Sequence, residues 1–439
     1  MKSKKSRTDK KTRTMLVLLI PCLIALAIFW WWGADEREAR RAAEREIQRI
    51  EKIKGFRKQI SEQLGTHFQN NDYPEKADIK LNDQNDVYSF EYSFDPTLQA
   101  SAEKLLQSYK PDYGAVAVMD AISGRVLALV SYEKGKPSIT NYALKSTFPA
   151  ASIFKIVTAS AAVDKYNLSP DTIIMFNGAN HTLYRKNVLY NTVNRWTREI
   201  SLKEAFARSI NTVFGRLTFE KMQPQDIEDY AIKFGFNTTI QSDLPFDMSL
   251  TSIPKEKNYE LAEIVSGYNR ITTMSPLHGA MIAASVAAGG TMRVPYIIDR
   301  VKDSKGKTIF ESEAVTAAVT LSGQGAEALR ELMEATVYNG TSRKSFRQLV
   351  RDKKFRELEL GGKTGSLTGT NPRGKVDWFV GYGIGGENSR LAIAAITVNV
   401  NYWTVKSSYL AQSLMRAHFK EQFSERNQKF FNTARSENE

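Results

Sequence analysis

The sequence predicts an α+β fold: an antiparallel five-stranded sheet built from both ends of the folded region, a helical lobe inserted between them, and an N-terminal transmembrane helix. Three observations predict it. Two β-rich apolar runs, Gly114 to Met119 and Arg125 to Val130, come early, and three more, Leu358 to Thr368, Val376 to Tyr382 and Leu391 to Val398, come late. The long stretch between them reads as helical, which leaves one sheet with a lobe beside it. Residues 15–32 carry no charge at all.

Taken in order, residues 1–14 hold seven Lys or Arg against the single acid Asp9 and read as a basic cytoplasmic tail. Residues 15–32 would span about 27 Å as a helix, within the range for one bilayer crossing. The basic flank keeps the N-terminus inside and sends everything after Trp32 outside. Ala25-Leu-Ala27 has the form of a cleavage site, but it lies inside the apolar run and ahead of Trp30-Trp-Trp32, so an uncleaved anchor is expected. Cys22 is the only cysteine and follows Pro21, which argues against lipidation and leaves the exported part without thiols or disulfides. Residues 34–64 favour a helical stalk. Ile50, Ile53, Ile60 and Leu64 fit a heptad seam that Arg57 interrupts. Residues 65–87, rich in Asn and Asp, read as linker. The expected organisation is therefore tail 1–14, anchor 15–32, stalk and linker 33–93, a folded domain 94–420 and a polar C-terminal tail 421–439.

Within the folded domain, Asp95-Pro96 caps a helix reaching about Tyr109, and Asp120 to Gly124 joins the first two strands as a hairpin. Ser152 heads an apolar run to Val163 without Gly or Pro, a buried helix of about three turns. Ser201 and Glu204 form a capping box for a helix that carries Ser209 and Asn211. Ser275-Pro276 opens an Ala-rich helix ending at Gly289-Gly290. A further helix covers about 325–338, and a last one about Val405 to Phe419. Lys363 falls on a late strand, whereas Ser152 and Ser209 fall on the helical side.

Three motifs carry chemistry: Ser152-Ile-Phe-Lys155, Ser209-Ile-Asn211 and Lys363-Thr-Gly365. Ser-x-x-Lys occurs five times, from Ser101, Ser131, Ser152, Ser252 and Ser304, and context selects the third. Only Ser152 heads a buried helix, where a spacing of three puts hydroxyl and amine on one face. A lysine acts as base only where its amine is kept uncharged. In this reading Ser152 is the nucleophile, Lys155 and Ser209 relay the proton, Lys363 adds positive charge and Asn211 holds a substrate peptide group. Gly365 lets a ligand backbone approach the strand.

This ordered set resembles the penicillin-binding D,D-transpeptidases and their serine β-lactamase relatives. Other stretches agree over about Phe94 to Phe419, among them Asp95-Pro-Thr-Leu-Gln99, Ser275-Pro-Leu-His278, Gly340-Thr341 and Trp378-Phe-Val-Gly381. The resemblance implies a membrane-anchored peptidoglycan transpeptidase that forms an acyl-serine with D-Ala-D-Ala stem peptides and binds β-lactam antibiotics covalently. It also implies that Ser366 supplies the second oxyanion N–H, and that the Thr364 and Ser366 hydroxyls receive the substrate carboxylate. Roughly 60 residues separate the anchor from the resemblance. That is too few for a glycosyltransferase or large pedestal domain, so a glycosyltransferase or a division or elongation protein is expected as partner. Ala150-Ala151 departs from the Pro-Gly or Gly-Ser common before the nucleophile. No Glu-x-x-Leu-Asn pattern follows Asn211, which argues against a β-lactamase. A D,D-carboxypeptidase of the same mechanism, or a sensor or scaffold without turnover, stays open.

Of the net charge of +13, residues 1–14 supply seven positives minus one, so +6, and the remaining +7 makes the rest of the chain mildly basic, which suits anionic envelope polymers. No zinc pattern, RNP-like run or basic helix beyond the tail points to nucleic acid. His67, His181, His278 and His418 have no ligand spacing, so no metal and no cofactor are expected. Trp196 and Trp378 are expected in the core.

Overall fold

The structure, a computed structural model, describes residues 8–136, 140–190, 192–386 and 389–436, with side chains described from 37 onward except at 421 and 424–436. The expected anchor 15–32 thus lies outside the residues whose side chains are described. Among the described residues no helix is long and apolar enough to cross a membrane.

The chain divides into two compact units, Met1–Gly55 and Phe56–Glu439, and helix α1 (Thr8–Gln69) belongs to both. In the first unit its described side chains, from residue 37, include charged pairs, with Arg49 reaching Glu46 at 2.7 Å and Arg40 reaching Glu44 at 3.7 Å. In the second, Phe56, Ile60, Leu64 and Phe68 recur every four residues and are all buried, so the seam packs onto its own domain. Arg57, which breaks that seam in sequence, is also wholly buried. Its Nη2 donates to the Glu313 carbonyl at 2.9 Å and its guanidinium lies 4.5 Å from the Tyr296 ring centre.

The linker expected over 65–87 is structured instead. Helix α1 runs to Gln69, and β1 (Lys76–Leu81) and β2 (Gln84–Tyr92) form a hairpin. Its two-residue turn is Asn82-Asp83, both at positive φ, which is the conformation a type I′ turn demands and Asn and Asp tolerate. The same Asn/Asp content that reads as loop is turn chemistry. This hairpin joins β5 (Ile298–Lys302) and β6 (Thr308–Glu311) in a four-stranded antiparallel sheet of order β1-β2-β5-β6 that the sequence reading lacks. The compact unit accordingly starts near Phe56 and not at 94.

The central sheet is five-stranded and antiparallel. It combines β3 (Tyr113–Asp120), β4 (Val126–Glu133), β7 (Glu359–Thr370), β8 (Arg373–Ile384) and β9 (Arg390–Asn399) in the order β7-β8-β9-β3-β4, from both ends of the domain. Its middle strands are apolar without alternation because both faces are covered. Ala115, Ala117 and Met119 enter one core while Val116 and Val118 enter the other, and Ala392 and Ala394 part from Ile393 and Ala395 in the same way. On the first face lies α6 (Pro276–Ala287), buried along its whole length. It is small-residued because Cα of Gly279 must approach the sheet: a Cβ there would sit 3.1 Å from Ala394 and Val380. On the other face lie α2 (Pro96–Tyr109), α8 (Arg343–Arg351) and α9 (Ser407–Ser436), the last of which overruns the tail boundary expected at 420. Strand β7 is the sheet edge, and the helical lobe meets it there through α7 (Gly323–Tyr338).

Ser275 caps α6 by accepting the His278 N–H at 3.1 Å. The His278 ring is buried, with Nε2 2.6 Å from the Phe234 carbonyl oxygen, and burial pushes its pKa down to about 4. The folded value lies below the unfolded one, so the stability this neutral ring contributes is full above about 6.5 and is lost as pH falls towards 4. Denaturant titration at pH 4.5 and 7.5 is expected to show that acid loss, up to about 3 kcal/mol, and His278→Gln should flatten it.

Candidate active site

The lobe contributes its chemistry through three breaks in helical backbone. Ser152 lies in a 3-10 turn, Ala151–Phe154, that leads into α3 (Lys155–Ser160). Ala151 enters it at φ +49°, a left-handed conformation that costs a residue with a Cβ about 1 kcal/mol. Behind it stands Gly267, at φ +69°; a Cβ there would fall 1.9 Å from the Ala151 carbonyl oxygen, so no other residue fits.

Ser209 departs from the sequence reading. It is not on the helix that Ser201 opens: α4 (Leu202–Ala207) stops short, Ser209 sits at φ +55°, and α5 (Asn211–Lys221) begins with Asn211. The capping reading holds in part, since Ser201 Oγ accepts the Glu204 N–H at 3.2 Å. The kink turns the Ser209 hydroxyl toward β7, where Lys363 Nζ lies 2.9 Å from it and donates to the Thr364 carbonyl at 2.8 Å. Strain of this kind persists only where the surroundings impose it.

Lys155 Nζ lies 2.9 Å from Ser152 Oγ and 2.7 Å from Asn211 Oδ1, and it also donates to the Ser266 carbonyl. The asparagine is oriented in turn, its Nδ2 donating to the His181 carbonyl at 3.1 Å. Both lysines are wholly buried. Phe214 stands 5.6 Å from the Lys155 amine and Phe206 5.5 Å from the Lys363 amine, so each faces an aromatic ring from a helix flanking the kink. Burial pushes the Lys155 pKa well below the usual lysine range, and the positive charge of Lys363 pushes it further. Burial alone lowers Lys363 to about 7.

A depressed lysine costs stability at any pH low enough for the unfolded chain to hold the proton, and the cost lifts only across the window in which the unfolded chain is protonated and the folded one is not. The deficit from Lys363 is full below pH 7 and lifts between about 7 and 10.5. Lys363→Met is therefore expected to stabilise the fold by about 2 kcal/mol at pH 7, after allowing for two lost hydrogen bonds, with the gain shrinking as pH approaches 10; equilibrium unfolding at the two pH values checks it.

These groups line a cavity of about 410 Å³. Ser152, Ser209 and Asn211 form one wall, and Thr364, Gly365 and Ser366 from the β7 edge form the other. A Cβ at Gly365 would stand 3.2 Å from the Ser152 amide nitrogen, so strand and turn are in close apposition. Thr364 Oγ1 and Thr341 Oγ1 are 2.5 Å apart. All eight residues singled out in the sequence are thus brought together around one cavity, the two lysines lying behind its surface.

Several neighbours were not singled out for the site. The Ser266 carbonyl, the His181 ring, Tyr268 and Thr341 had no local pattern of their own, although Gly340-Thr341 and Ser266-Gly267 flank recognisable turns. The cavity also reaches Asp377, Lys406 and Ser408. Asp377 pairs with Ser366 across the strands, and burial raises its carboxyl to about 6 despite Lys406 at 3.6 Å and the Ser407 N–H at 2.8 Å. The His181 pKa is pushed down by partial burial first and then by the two lysines.

Comparison with known proteins places these motifs in context. The family model of the penicillin binding protein transpeptidase domain matches residues 114–420. Stage V sporulation protein D of Bacillus subtilis is 24% identical over 322 residues, covering 67% of this chain and 47% of that protein. Peptidoglycan D,D-transpeptidase PbpA of Mycobacterium tuberculosis is 23% identical over 344 residues, covering 70% of this chain and 66% of that protein. The chain therefore spans about half to two thirds of the length of these relatives. Among solved structures, an imipenem acyl-enzyme complex of penicillin-binding protein A from M. tuberculosis superposes with TM-score 0.63 at 21% identity, over 76% of this chain and 80% of that one. The D,D-transpeptidase domain of a peptidoglycan glycosyltransferase from Eggerthella lenta gives 0.61 at 23%, over 76% and 84%. At these identities the structures establish a shared mixed α/β fold with antiparallel sheets. With a family model matched over more than half its length, the chain belongs to the penicillin binding protein transpeptidase domain family.

Proposed function

We propose that this chain is a membrane-anchored peptidoglycan D,D-transpeptidase that passes through an acyl-serine at Ser152 and is acylated there by penicillin. One observation carries the reading: the Ser152 hydroxyl lies 2.9 Å from a buried amine whose other two neighbours, Asn211 Oδ1 and the Ser266 carbonyl, can only accept. A neutral amine has two N–H donors and one lone pair. The two acceptors take the donors, and the lone pair is left for the Ser152 O–H.

The reaction follows. Ser152 Oγ bonds to the carbonyl carbon of the D-Ala-D-Ala peptide bond while its proton passes to Lys155. The oxyanion is met by the Ser152 N–H, at the head of its helix, and by the Ser366 N–H that the family resemblance assigns to it. The carbon–nitrogen bond then breaks, and the departing D-alanine takes a proton from Lys155 or through Ser209, whose hydroxyl borders Lys363. An acceptor amine attacks the acyl-serine, yields its proton to the same base and restores Ser152. Thr364 and Ser366 hold the terminal carboxylate, Asn211 holds the stem-peptide amide, and Gly365 admits the backbone. Residues 94–420 carry this chemistry, 15–32 anchor it with 1–14 in the cytoplasm, and a glycosyltransferase or a division or elongation protein supplies glycan.

The test is incubation of the 439-residue chain with fluorescent penicillin and with pentapeptide-bearing peptidoglycan. A penicillin adduct on the Ser152 peptide, free D-alanine and crosslinked product are expected. D-alanine without crosslinks would reassign the chain as a carboxypeptidase, and an adduct with no D-alanine as a scaffold. Absence of any adduct at Ser152 would overturn the reading.

A further inference from the structure

Trp196 is 69% exposed, against the expectation of a core position that Trp378 does meet. It does not stand alone. Tyr184 and Tyr190, in the same loop between the strands Ile173–Phe176 and Arg198–Ser201, are 57% and 65% exposed. The loop is not short of interior, because Leu183 and Val188 turn inward onto Ala262. Nor is it loose at its base: Asn177 Nδ2 donates to the Thr192 carbonyl at 2.9 Å and Thr197 Oγ1 donates to Asn177 Oδ1 at 3.1 Å. A folded loop that buries two aliphatic side chains yet holds three large rings in solvent has its rings placed for something else.

Position and charge narrow the occupant. The Asn180 carbonyl accepts the Asn211 N–H at 3.0 Å, the His181 carbonyl accepts from Asn211 Nδ2, and the Thr182 carbonyl accepts from Thr212 Oγ1 at 2.9 Å. The loop is therefore pinned to the very asparagine that borders Lys155. Between 177 and 201 it carries Arg185, Lys186, Arg195 and Arg198 against Glu199 alone, and the Arg195 guanidinium lies 4.7 Å from the Trp196 ring centre. Flat aromatic faces suit the C–H faces of sugar rings, and the basic side chains suit carboxylates hung along a polymer.

We infer that this aromatic and basic loop is a saccharide-binding rim that holds the glycan strand of peptidoglycan beside the cavity, so that a stem peptide is delivered to Ser152. The inference rests on the transpeptidase reading for its substrate and adds a second, separate binding site for it. Penicillin, which has no glycan, does not use the rim.

The experiment compares the full chain with Trp196→Ala and Tyr190→Ala in three binding assays and one reaction. Cosedimentation is measured with peptidoglycan sacculi, with glycan strands freed of peptide by an amidase, and with anionic phospholipid vesicles; the acylation rate with fluorescent penicillin is the reaction. Each substitution is expected to weaken binding to sacculi and to bare glycan about tenfold, with penicillin acylation changed less than twofold and the thermal midpoint unmoved. Unchanged glycan binding in both variants, no glycan binding by the parent chain, or a loss confined to vesicles, which would make the loop a membrane contact, overturns the proposal. Failure of the parent chain to react with penicillin would instead sink the transpeptidase reading and leave the glycan result standing.

Discussion

Ser152→Ala is expected to abolish covalent penicillin labelling while leaving the fold intact. The substitution removes one hydroxyl from a half-buried turn whose conformation is set by the Ala151 backbone and Gly267, so little packing is lost. A change in stability below about 1 kcal/mol is expected. Among the described residues no other hydroxyl lies within hydrogen-bonding range of the Lys155 amine; Ser209, the nearest rival in role, is held by Lys363. Intact-mass measurement after incubation with excess penicillin reads the adduct directly. An adduct that persists in the variant would move the nucleophile elsewhere, with Ser209 the first candidate.

Lys155→Ala should come close behind, with acylation slowed by about a thousandfold or more, since a positioned base contributes ~10²–10⁴ and, among the described residues, Lys155 is the basic side chain hydrogen-bonded to Ser152. The pH profile carries additional information. Burial and the Lys363 charge both disfavour protonated Lys155, so the parent's acylation rate should rise through a midpoint well below the ordinary lysine range and level off above it. Removing the Lys363 charge relieves part of that pressure. In Lys363→Met the residual rate should therefore rise at higher pH than in the parent, because a proton is then easier to place on Lys155. Second-order rate constants for penicillin acylation between pH 5 and 10 would measure both limbs. An acid limb unmoved by Lys363→Met would mean that the two amines do not interact.

Much of the fold was legible because it is local. The caps at Asp95, Ser201 and Ser275, the apolar run after Ser152 and the five β-rich runs depend on residues within a few positions of each other. The misreadings have physical reasons of the same kind. The hairpin at 76–92 was hidden because Asn82-Asp83 belongs equally to a tight turn and to a linker, and only pairing with Ile298–Lys302 tells them apart. The helix through Ser209 was assumed continuous because nothing in Ala-Arg-Ser-Ile forbids it; the left-handed turn is enforced by what packs around it. Trp196 and Trp378 are the same residue type with opposite fates. Trp378 donates from Nε1 to the Pro149 carbonyl inside the sheet core, whereas Trp196 stands on a loop whose inner face is already filled.

The sequence by itself determined the order of the motifs, the three-residue spacing that sets Ser152 and Lys155 on one helical face, and the β-rich apolar runs and helical segments that became sheet and lobe. Tertiary structure alone decided that Lys363 meets Ser209 across 154 positions, and that the two amines lose their ordinary affinity for a proton. An amine's charge is governed by the water it is denied, and that water is excluded by Phe214 and Ser266 at Lys155 and by Phe206 at Lys363, groups that come to the two amines from far along the chain.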